Sequence, residues 1–437
     1  MTPTDDYGNA FAQGLPYARG SVVRSTADDL RKLKAAWALI RERIAAGGPQ
    51  SIFILNGLER GMTFVPAAAF ELLDDEIAPA LYAERLADLG LRHLGGDPRL
   101  HDVMMANRLT AALFCVGDVV VKPGASVVGV SPRYSHPAVV RAVRHGGGCF
   151  HDCRGLADFA TTMARLPQVD VVFLTRMSVS YEILMEDELR SIASIAAERG
   201  ALLVVDDAGG ARAGPAVFDQ SHMLQLGADV VCTGLDKYGV VGPRLGLAVG
   251  KKPIIDAMRA RAFEIGCEAR PMLYPAAVQS LEQYRPERVR TMVSTTMDVK
   301  DALVRRFGEK RVWATPVVAQ LRGEDILRMA MERAGLKAPP CVPYEATAGL
   351  AMLLLRDHGV LTVHFAGMPP GTSSLMFKFI PPETLARFGG AERLAVAVDS
   401  SVASLADVLG EQGALGQLLL GGAMPAETDE LVSGVPA

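Results

Sequence analysis

One segment of the chain places a single lysine on a short Gly-rich loop between two strand-like runs, Ala228–Cys232 and Leu245–Val249. It reads Cys232-Thr233-Gly234-Leu235-Asp236-Lys237-Tyr238-Gly239-Val240-Val241-Gly242-Pro243-Arg244-Leu245-Gly246. Burial disfavours the ammonium form of a lysine and lowers its pKa. Such a lysine is a nucleophile, and it commonly forms a Schiff base with a carbonyl. Taken alone, an ordinary surface-loop lysine is the more frequent case, so a role for Lys237 depends on the rest of the chain.

Composition indicates a large folded protein without a membrane segment. The chain has 437 residues, 49% of them hydrophobic, and a formal net charge of −4. Its length predicts two or three domains, and its charge gives no footprint for nucleic acid or an anionic membrane. Apolar runs stay below the roughly 18 residues of a spanning helix, and the first residues lack a signal-peptide core. Six scattered cysteines suit a reducing compartment, so we expect a cytoplasmic protein.

Helical and strand-like patterns alternate from about residue 100. The predicted elements are a helix (Ala106–Phe114), a strand (Ser126–Val130), a helix (Ala138–His145), a strand (Val169–Leu174), a helix (Glu186–Arg199) and the strands Ala201–Val205 and Asp229–Cys232. Continuous Val/Leu/Ile strands with intervening helices predict an α/β fold whose mostly parallel sheet is covered by helices on both faces. Ligands of such sheets bind beyond the carboxyl ends of the strands.

We predict three regions along the chain. Residues 1–90 form an N-terminal arm and helices, and residues 91–275 form the large domain. Residues 276–437 form a helical connection, helical to about residue 334, and a smaller α+β C-terminal domain that ends in a loose tail. A helix over Asp28–Ala46 is the main element of the arm, with Leu30, Leu33, Trp37, Ile40 and Ile44 on one face.

Polar and aromatic residues follow the predicted strands. Asp206 ends one strand, where a buried carboxylate needs a cationic or hydrogen-bonded partner. A helix cap is the alternative for this residue. Tyr134 and His136 follow another strand and could contact a flat ligand. A helix beginning at Asn107, Arg108, Leu109, Thr110 and Ala111 offers free N–H groups to an anion.

Other motifs are less complete. Cys149-Phe150-His151-Asp152-Cys153 lacks a second ligand pair, so we predict no metal site there. Neither a dinucleotide fingerprint nor a complete phosphate-binding P-loop is present.

The order of these features is more specific than any one of them. An anion-binding helix start, a strand-end aromatic residue, a strand-end carboxylate and a lysine about thirty residues later together suit pyridoxal phosphate. Its phosphate needs N–H donors, its ring a stacking partner, its pyridine nitrogen an acidic partner and its aldehyde a lysine.

The same order and spacing resemble the fold-type I pyridoxal-phosphate-dependent enzymes, whose fold is the PLP-dependent transferase fold. Asp236-Lys237 followed by Gly242-Pro243-Arg244-Leu245-Gly246 looks like the SelA-like (selenocysteine synthase-like) group. Leu94-Gly95-Gly96-Asp97 and Ser131-Pro132-Arg133-Tyr134-Ser135-His136-Pro137 look closer to an archaeal and bacterial branch of SelA-like proteins than to true selenocysteine synthases. The resemblance covers about residues 90–285.

The resemblance implies roles for individual residues. Lys237 matches the Schiff-base lysine, Asp206 the partner of the pyridine nitrogen, with Asp207 as the alternative, and His136 the ring-stacking residue. The phosphate-binding helix start is matched by Asn107, Arg108, Leu109, Thr110 and Ala111. Thr233 lies near the phosphate serine of relatives, one residue further from the lysine. Substrate contacts are implied for Arg270, Lys378 and Tyr134, of which Lys378 matches a carboxylate-binding arginine poorly.

The expected chemistry starts from a carbanion at the Cα of an amino-acid substrate, with Lys237 as a proton shuttle. The resemblance favours a lyase, or a β-elimination or β-replacement enzyme. Racemisation, aldol cleavage, sulfur or selenium transfer, and a non-catalytic pyridoxal-phosphate-binding protein stay open. The resemblance also implies a homodimer or larger homo-oligomer. True selenocysteine synthases need an N-terminal tRNA-binding domain. This chain has a single predicted helix in that region and a near-neutral charge, so a tRNA partner is not expected, although that possibility stays open.

Overall fold

A computed structural model of the chain describes residues 3–62, 67–365 and 368–421. The helices are α1 (Thr26–Gly47), α2 (Ile77–Leu94), α3 (Leu109–Val120), α4 (Pro137–His145), α5 (Gly155–Arg165), α6 (Glu186–Glu198), α7 (Gly210–Val217), α8 (Lys252–Ile265), α9 (Tyr274–Gln283), α10 (Pro286–Phe307), α11 (Gly323–Ala334), α12 (Pro343–His358), α13 (Pro382–Phe388), α14 (Ala391–Gly410) and α15 (Ala414–Leu420). The strands are β1 (Phe53–Ile54), β2 (His101–Ala106), β3 (Ser126–Ser131), β4 (Cys149–Arg154), β5 (Val171–Thr175), β6 (Leu202–Asp206), β7 (Val230–Gly234), β8 (Gly246–Lys251), β9 (Trp313–Thr315), β10 (Val318–Leu321), β11 (Val360–Leu361) and β12 (Leu375–Lys378).

The chain divides into two compact units. Unit 1 comprises Met1–Gly57 and Thr291–Ala437, and unit 2 comprises Leu58–Arg290. The predicted domain boundaries after residues 90 and 275 remain a prediction, and the predicted loose tail lies outside the described residues from position 422 onward. No helix of the described ranges is long and apolar enough to span a membrane.

Unit 2 is built on a seven-stranded sheet of order β2-β8-β7-β6-β5-β3-β4. β8 runs antiparallel to both of its neighbours, and β3, β4, β5, β6 and β7 pair in parallel. Apolar residues cover both faces, against α2, α5, α6 and α9 on one side and α3, α4 and α8 on the other. This confirms the predicted α/β fold. It also brings the carboxyl ends of β3, β5, β6 and β7 to one edge of the sheet.

One prediction of secondary structure in unit 2 is wrong, and one strand was not predicted. Residues 101–106 form β2, and the following helix begins at Leu109 rather than at Ala106. Residues 149–154, considered as a metal clip, form the edge strand β4. The hydrophobic pattern does not predict β4, because its sequence is polar. An edge strand pairs on one side only and tolerates polar residues.

Unit 1 is an α+β unit around α12. Every residue from Pro343 to Leu355 is buried, and the apolar cluster includes residues of α11, α14 and α15. β12, β10 and β9 form a three-stranded antiparallel sheet. The continuous helical pattern predicted up to residue 334 is therefore wrong at residues 313–321. Pairing with β12, about 60 residues later, stabilises these short strands, and no local pattern reveals it.

Helix α1 packs through buried charged residues as well as through apolar ones such as Leu33, Ala36 and Ile40. Asp29 and Lys32 are buried and form an ion pair of 3.1 Å, whereas the large apolar side chains Leu30, Trp37 and Ile44 are exposed by 37–46%. The helix begins at the N-cap Ser25, whose side chain accepts from the Asp28 amide. Unit 1 thus holds this helix by a buried charge network and by smaller apolar contacts.

Candidate functional site

The loop after β7 carries Lys237 at the carboxyl edge of the sheet. The lysine side chain is 20% exposed, and its Nζ lies 3.7 Å from Oδ1 of Asp236. Gly234 leaves room for both side chains, since a Cβ there would lie 3.1 Å from Oδ1 of Asp236 and 3.3 Å from Cε of Lys237, closer than ordinary contact. Burial lowers the pKa of the Lys237 ammonium below its ordinary value, although the Asp236 carboxylate acts in the opposite direction. The neutral, nucleophilic fraction of this amine is therefore larger than that of a lysine in water.

A short segment from the start of unit 2 holds this loop. Leu58 forms a β-bridge with Lys237, and the Glu59 amide donates to the Asp236 carbonyl over 3.1 Å. The Glu59 carboxylate accepts from the Gly239 amide over 2.9 Å and from Arg288 Nε over 2.9 Å. Sequence reasoning missed this segment. Its residues pair with positions almost 180 or more residues later, and their spacing carries no known motif.

Asp206 is the last residue of β6 and pairs in register with Cys232 of β7. Its side chain is buried, and within the described part of the chain Oδ1 has no hydrogen-bond partner. Burial raises the pKa of Asp206 to about 7, against the lowering effect of Lys237. A buried carboxylate oxygen without a donor is costly, so the site is suited to a ligand that brings an N–H.

We expect this carboxyl group to make cofactor-free protein less stable as pH rises. Its pKa is raised by folding, so the folded state binds more protons than the unfolded state between about pH 4 and pH 7. The stabilisation is therefore full below the unfolded pKa of about 4 and is lost as pH rises through 7. From pH 5 to pH 7 the loss amounts to about 2 kcal/mol. Asp206→Asn should remove this part of the pH dependence in urea unfolding followed by circular dichroism.

The control for that measurement is Asp256→Asn on α8, whose carboxylate is 66% exposed. It should keep the parental pH dependence. An Asp206→Asn variant with the same slope as the parent protein would show that Asp206 ionises in the folded chain as it does in water.

Asp207 and Thr233 belong to a network on the opposite face of the sheet. Asp207 Oδ2 lies 2.8 Å from Nη2 of the buried Arg176. The Thr233 hydroxyl donates to the Asp207 carbonyl over 3.0 Å and accepts from Arg212 Nη1 over 2.9 Å. Successive strand residues point to opposite faces, so Thr233 points away from the face that Cys232 shares with Asp206. Neither Arg176 nor Arg212 was singled out from the sequence.

Three arginines surround Asp236. Arg60 Nε is 3.2 Å and Arg244 Nε is 4.0 Å from Oδ2 of Asp236. Burial, with repulsion from Arg60 and Arg108, lowers the pKa of Arg244 to about 10. Burial and Arg60 also lower the pKa of Arg108. One carboxylate faces three cations here, so this corner of unit 2 is suited to an anion.

Arg108 is also the N-cap of α3, and its side chain makes no capping hydrogen bond. The amides of Leu109, Thr110 and Ala111, in the first turn, have no intrahelical acceptor by the geometry of an α-helix. Together with Arg108 they make up the helix start for which anion binding is predicted, and that role stays a prediction. Asn107 already has other hydrogen-bond acceptors. Its backbone amide donates to the Cys267 carbonyl over 2.9 Å, and its Nδ2 donates to the Gly266 carbonyl over 3.0 Å.

Tyr134 and His136 follow β3 at the same edge of the sheet, and both are partly buried. His136 is the N-cap of α4, and its Nδ1 accepts from the Ala138 amide over 3.0 Å. This bond fixes the plane of the imidazole. Its stacking role remains a prediction.

Two further residues are predicted to contact the substrate. Arg270 of unit 2 has a side chain that is 67% exposed, and it pairs with Asp75 over 3.8 Å. Lys378 is buried at the end of β12 in unit 1. Their roles remain predictions.

Comparison with known proteins identifies relatives and a fold. No family model matches the chain. A UPF0425 pyridoxal phosphate-dependent protein of Methanosphaera stadtmanae is 28% identical over 355 residues, which cover 80% of this chain and 88% of the relative. The solved complex of SepCysS with the SepCysE N-terminal domain is 14% identical, has a TM-score of 0.57, and is matched over 82% of this chain and 96% of that chain. Serine palmitoyltransferase of Sphingomonas wittichii is 16% identical with a TM-score of 0.56, over 80% and 87% of the two chains. The chain therefore has the fold-type I fold of pyridoxal-phosphate-dependent enzymes, as the sequence predicted.

Proposed function

We propose that unit 2 binds pyridoxal 5'-phosphate at the carboxyl edge of its sheet. The observation that carries the proposal is the environment of Asp206. This carboxylate is buried, and its Oδ1 has no hydrogen-bond partner among the described residues. Burial raises its pKa to about 7, although the nearby Lys237 acts in the opposite direction. A protonated pyridine nitrogen supplies the N–H and the positive charge that this carboxylate lacks. Lys237, with its lowered pKa, supplies the amine for the aldehyde. The names of the relatives support the same cofactor.

The arginine cluster suits the phosphate. A phosphate monoester carries close to two negative charges at neutral pH. Arg60, Arg108 and Arg244 carry three positive charges and Asp236 one negative charge, so a bound phosphate would neutralise the cluster. The first turn of α3 adds N–H donors. We assign the phosphate to Arg108, Arg244 and the amides of α3 rather than to Thr233, whose hydroxyl is already bonded to Asp207 and Arg212.

Lys237 would hold the cofactor through its amine, and the bound group would supply an electron sink for the Cα of an amino-acid substrate. Asp206 would hold the positive charge on the ring nitrogen. His136, oriented by its bond to Ala138, would stack on the ring. Lys237 would take the proton from Cα of the substrate and hold it as the proton shuttle of the site.

We propose a lyase, or a β-elimination or β-replacement enzyme, for an amino acid with a leaving group on Cβ. The SelA-like resemblance of the Asp236–Gly246 segment supports this class. Racemisation and aldol cleavage are alternatives with the same residues. Sulfur transfer by Cys232 is disfavoured, since this cysteine is buried in β7 and burial raises the pKa of its thiol.

The test is a panel of amino acids added to purified protein loaded with pyridoxal phosphate. Substrates with a leaving group on Cβ should change the absorption spectrum of the bound cofactor and release ammonia and a 2-keto acid. Racemisation would instead exchange the Cα proton with solvent without ammonia release. A cofactor spectrum that no amino acid changes would contradict an enzymatic role and favour a carrier of the cofactor.

Two variants rank the strand-end carboxylates in that assay. We expect Asp206→Asn to lower turnover by 100-fold or more, on the order of the largest single electrostatic effects. Asp207→Asn should act through stability, because its partner is the buried Arg176. If turnover per folded molecule falls more in Asp207→Asn than in Asp206→Asn, the acidic partner of the ring is Asp207.

We further propose a homodimer or larger homo-oligomer in the cytoplasm. Exposed apolar residues of unit 2, namely Met62, Phe70, Leu72, Ile77, Leu81 and Met272, support a subunit interface. All six cysteines are free, in keeping with a reducing compartment. Arg270, Lys378 and Tyr134 stay candidates for the contacts to an amino-acid substrate.

A further inference from the structure

Two tyrosines beside the lysine have an unusual backbone. Tyr238, directly after Lys237, has a φ of 47°, and Tyr181 has a φ of 71°. Left-handed conformations are uncommon for bulky residues and persist where the surroundings enforce them. Both residues are buried, with 3% and 6% of their surfaces exposed. The two side chains meet, and their hydroxyl oxygens are 2.5 Å apart.

Tyr181 reaches this contact on a folded-back loop after β5. Met177 and Ile183 form an antiparallel bridge, and the Leu184 amide donates to the Arg176 carbonyl over 3.0 Å. The Tyr181 amide donates to the Ser178 carbonyl over 2.9 Å at the turn of the loop. The loop is thus rigidly placed by its own backbone bonds, and it carries the Tyr181 hydroxyl to the lysine loop.

The ring of Tyr238 is also confined by the turn after Asp206. A Cβ on Gly209 would lie 2.5 Å from Cε2 of Tyr238 and 2.3 Å from Cε of Met177. Only glycine leaves room for the two side chains at this position. The loops after β5, β6 and β7 therefore converge on one aromatic ring.

The other side of the lysine loop is held by Glu59, which accepts from the Gly239 amide. Tyr238 lies between this anchor and Lys237. If the ring of Tyr238 were released, its backbone could relax to an ordinary negative φ. That relaxation would turn the peptide that follows Lys237 and move Nζ relative to Asp206.

We infer that Tyr181 is a positioning residue for Lys237. Its hydroxyl holds Tyr238 in the left-handed conformation, and this conformation sets the peptide that follows Lys237 and so directs Nζ into the site. This inference rests on the proposed function, since it assigns the contact a role in presenting the lysine amine to the cofactor aldehyde. Tyr181 touches no reacting atom in this role.

The experiment compares Tyr181→Phe, Tyr238→Phe, the double variant and the parent protein. Tyr274→Phe, a partly buried tyrosine of α9 in the same unit, is the matched control. Two quantities are measured with pyridoxal phosphate. One is the rate at which a borohydride-reducible bond to Lys237 forms, and the other is the pH midpoint of the cofactor absorbance. Thermal unfolding gives the folded fraction of each variant.

We expect each single variant to form the bond about fivefold to tenfold more slowly and to shift the pH midpoint, as misplaced reacting groups do. The double variant should be at most about twofold slower than the singles, because each hydroxyl acts through the other. Parental rates in both single variants, or a double-variant loss equal to the product of the single losses, would overturn the inference. So would lowered melting temperatures with parental rates per folded molecule. A parent protein that forms no reducible bond contradicts the proposed function itself.

Discussion

Replacement of Lys237 by alanine is expected to abolish the covalent, borohydride-reducible bond between the protein and pyridoxal phosphate. The lysine is the one amine that the structure places beside Asp206 within the described residues. Burial lowers its pKa, which favours the neutral amine that reacts with an aldehyde. The measurement is mass spectrometry of the reduced protein, followed by peptide mapping. The parent protein should carry one cofactor per chain, on the peptide that contains Lys237.

Lys237→Arg is the matched control, because it keeps a positive charge beside Asp236 but cannot condense with the aldehyde. Both variants should remain folded, since the lysine amine lies 3.7 Å from its ion-pair partner Asp236, beyond hydrogen-bond distance. Lys251 and Lys252 are exposed, so pyridoxal phosphate can also label them nonspecifically. The peptide map distinguishes such labelling from a bond to Lys237. A Lys237→Ala protein with a full equivalent of reduced cofactor at another single lysine would refute the assignment of the site.

Neutralisation of Arg244 is expected to weaken pyridoxal phosphate binding by about 10-fold to 100-fold, the range for loss of a charged hydrogen bond. The same change should affect pyridoxal, which lacks the phosphate, by less than about threefold. Arg244 lies with Arg60 and Arg108 in the cluster where repulsion contributes to lowering its pKa to about 10. Equilibrium titration of Arg244→Gln with both compounds separates the phosphate contribution from the ring contribution.

The same variant separates cofactor binding from stability. Without cofactor, Arg244→Gln removes both the repulsion from Arg60 and Arg108 and the ion pair with Asp236, so its melting temperature should stay close to that of the parent protein. With cofactor, its melting temperature should gain less. Arg270→Gln is the control, because Arg270 is surface-exposed and pairs with Asp75. If Arg244→Gln binds pyridoxal phosphate with the affinity of the parent protein, the assignment of the phosphate to the arginine cluster is wrong.

The positions of Asp206, Lys237 and Arg108 at strand ends and at a helix start were predictable, because each follows a feature with a local signature. Asp206 ends a continuous apolar strand, Lys237 follows another, and Arg108 begins a helix. Parallel strands bring such ends together whatever the connecting helices are. The α/β fold followed from the same strands, since runs such as Val171–Thr175 are buried on both sides.

The supporting residues were not predictable for the opposite reason. Glu59 and Arg60 reach the lysine loop across more than 170 residues of chain, and Tyr181 reaches it across 57. Their residue types are ordinary, and only the folded chain shows which partner each one finds. Arg244 stood in the segment that predicted the fold, yet its role depends on Arg60 and Arg108, which lie far from it in sequence.

The division into two units has a consequence for spectroscopy. The chain contains two tryptophans, Trp37 on α1 and Trp313 on β9, and both belong to unit 1. Their emission therefore reports unit 1, whereas the absorbance of a cofactor bound at Lys237 would report unit 2. Unfolding curves followed by the two signals need not coincide, and the gap between their midpoints measures how far the units unfold independently. Ligands or substitutions can then be assigned to the unit that they stabilise from a single sample.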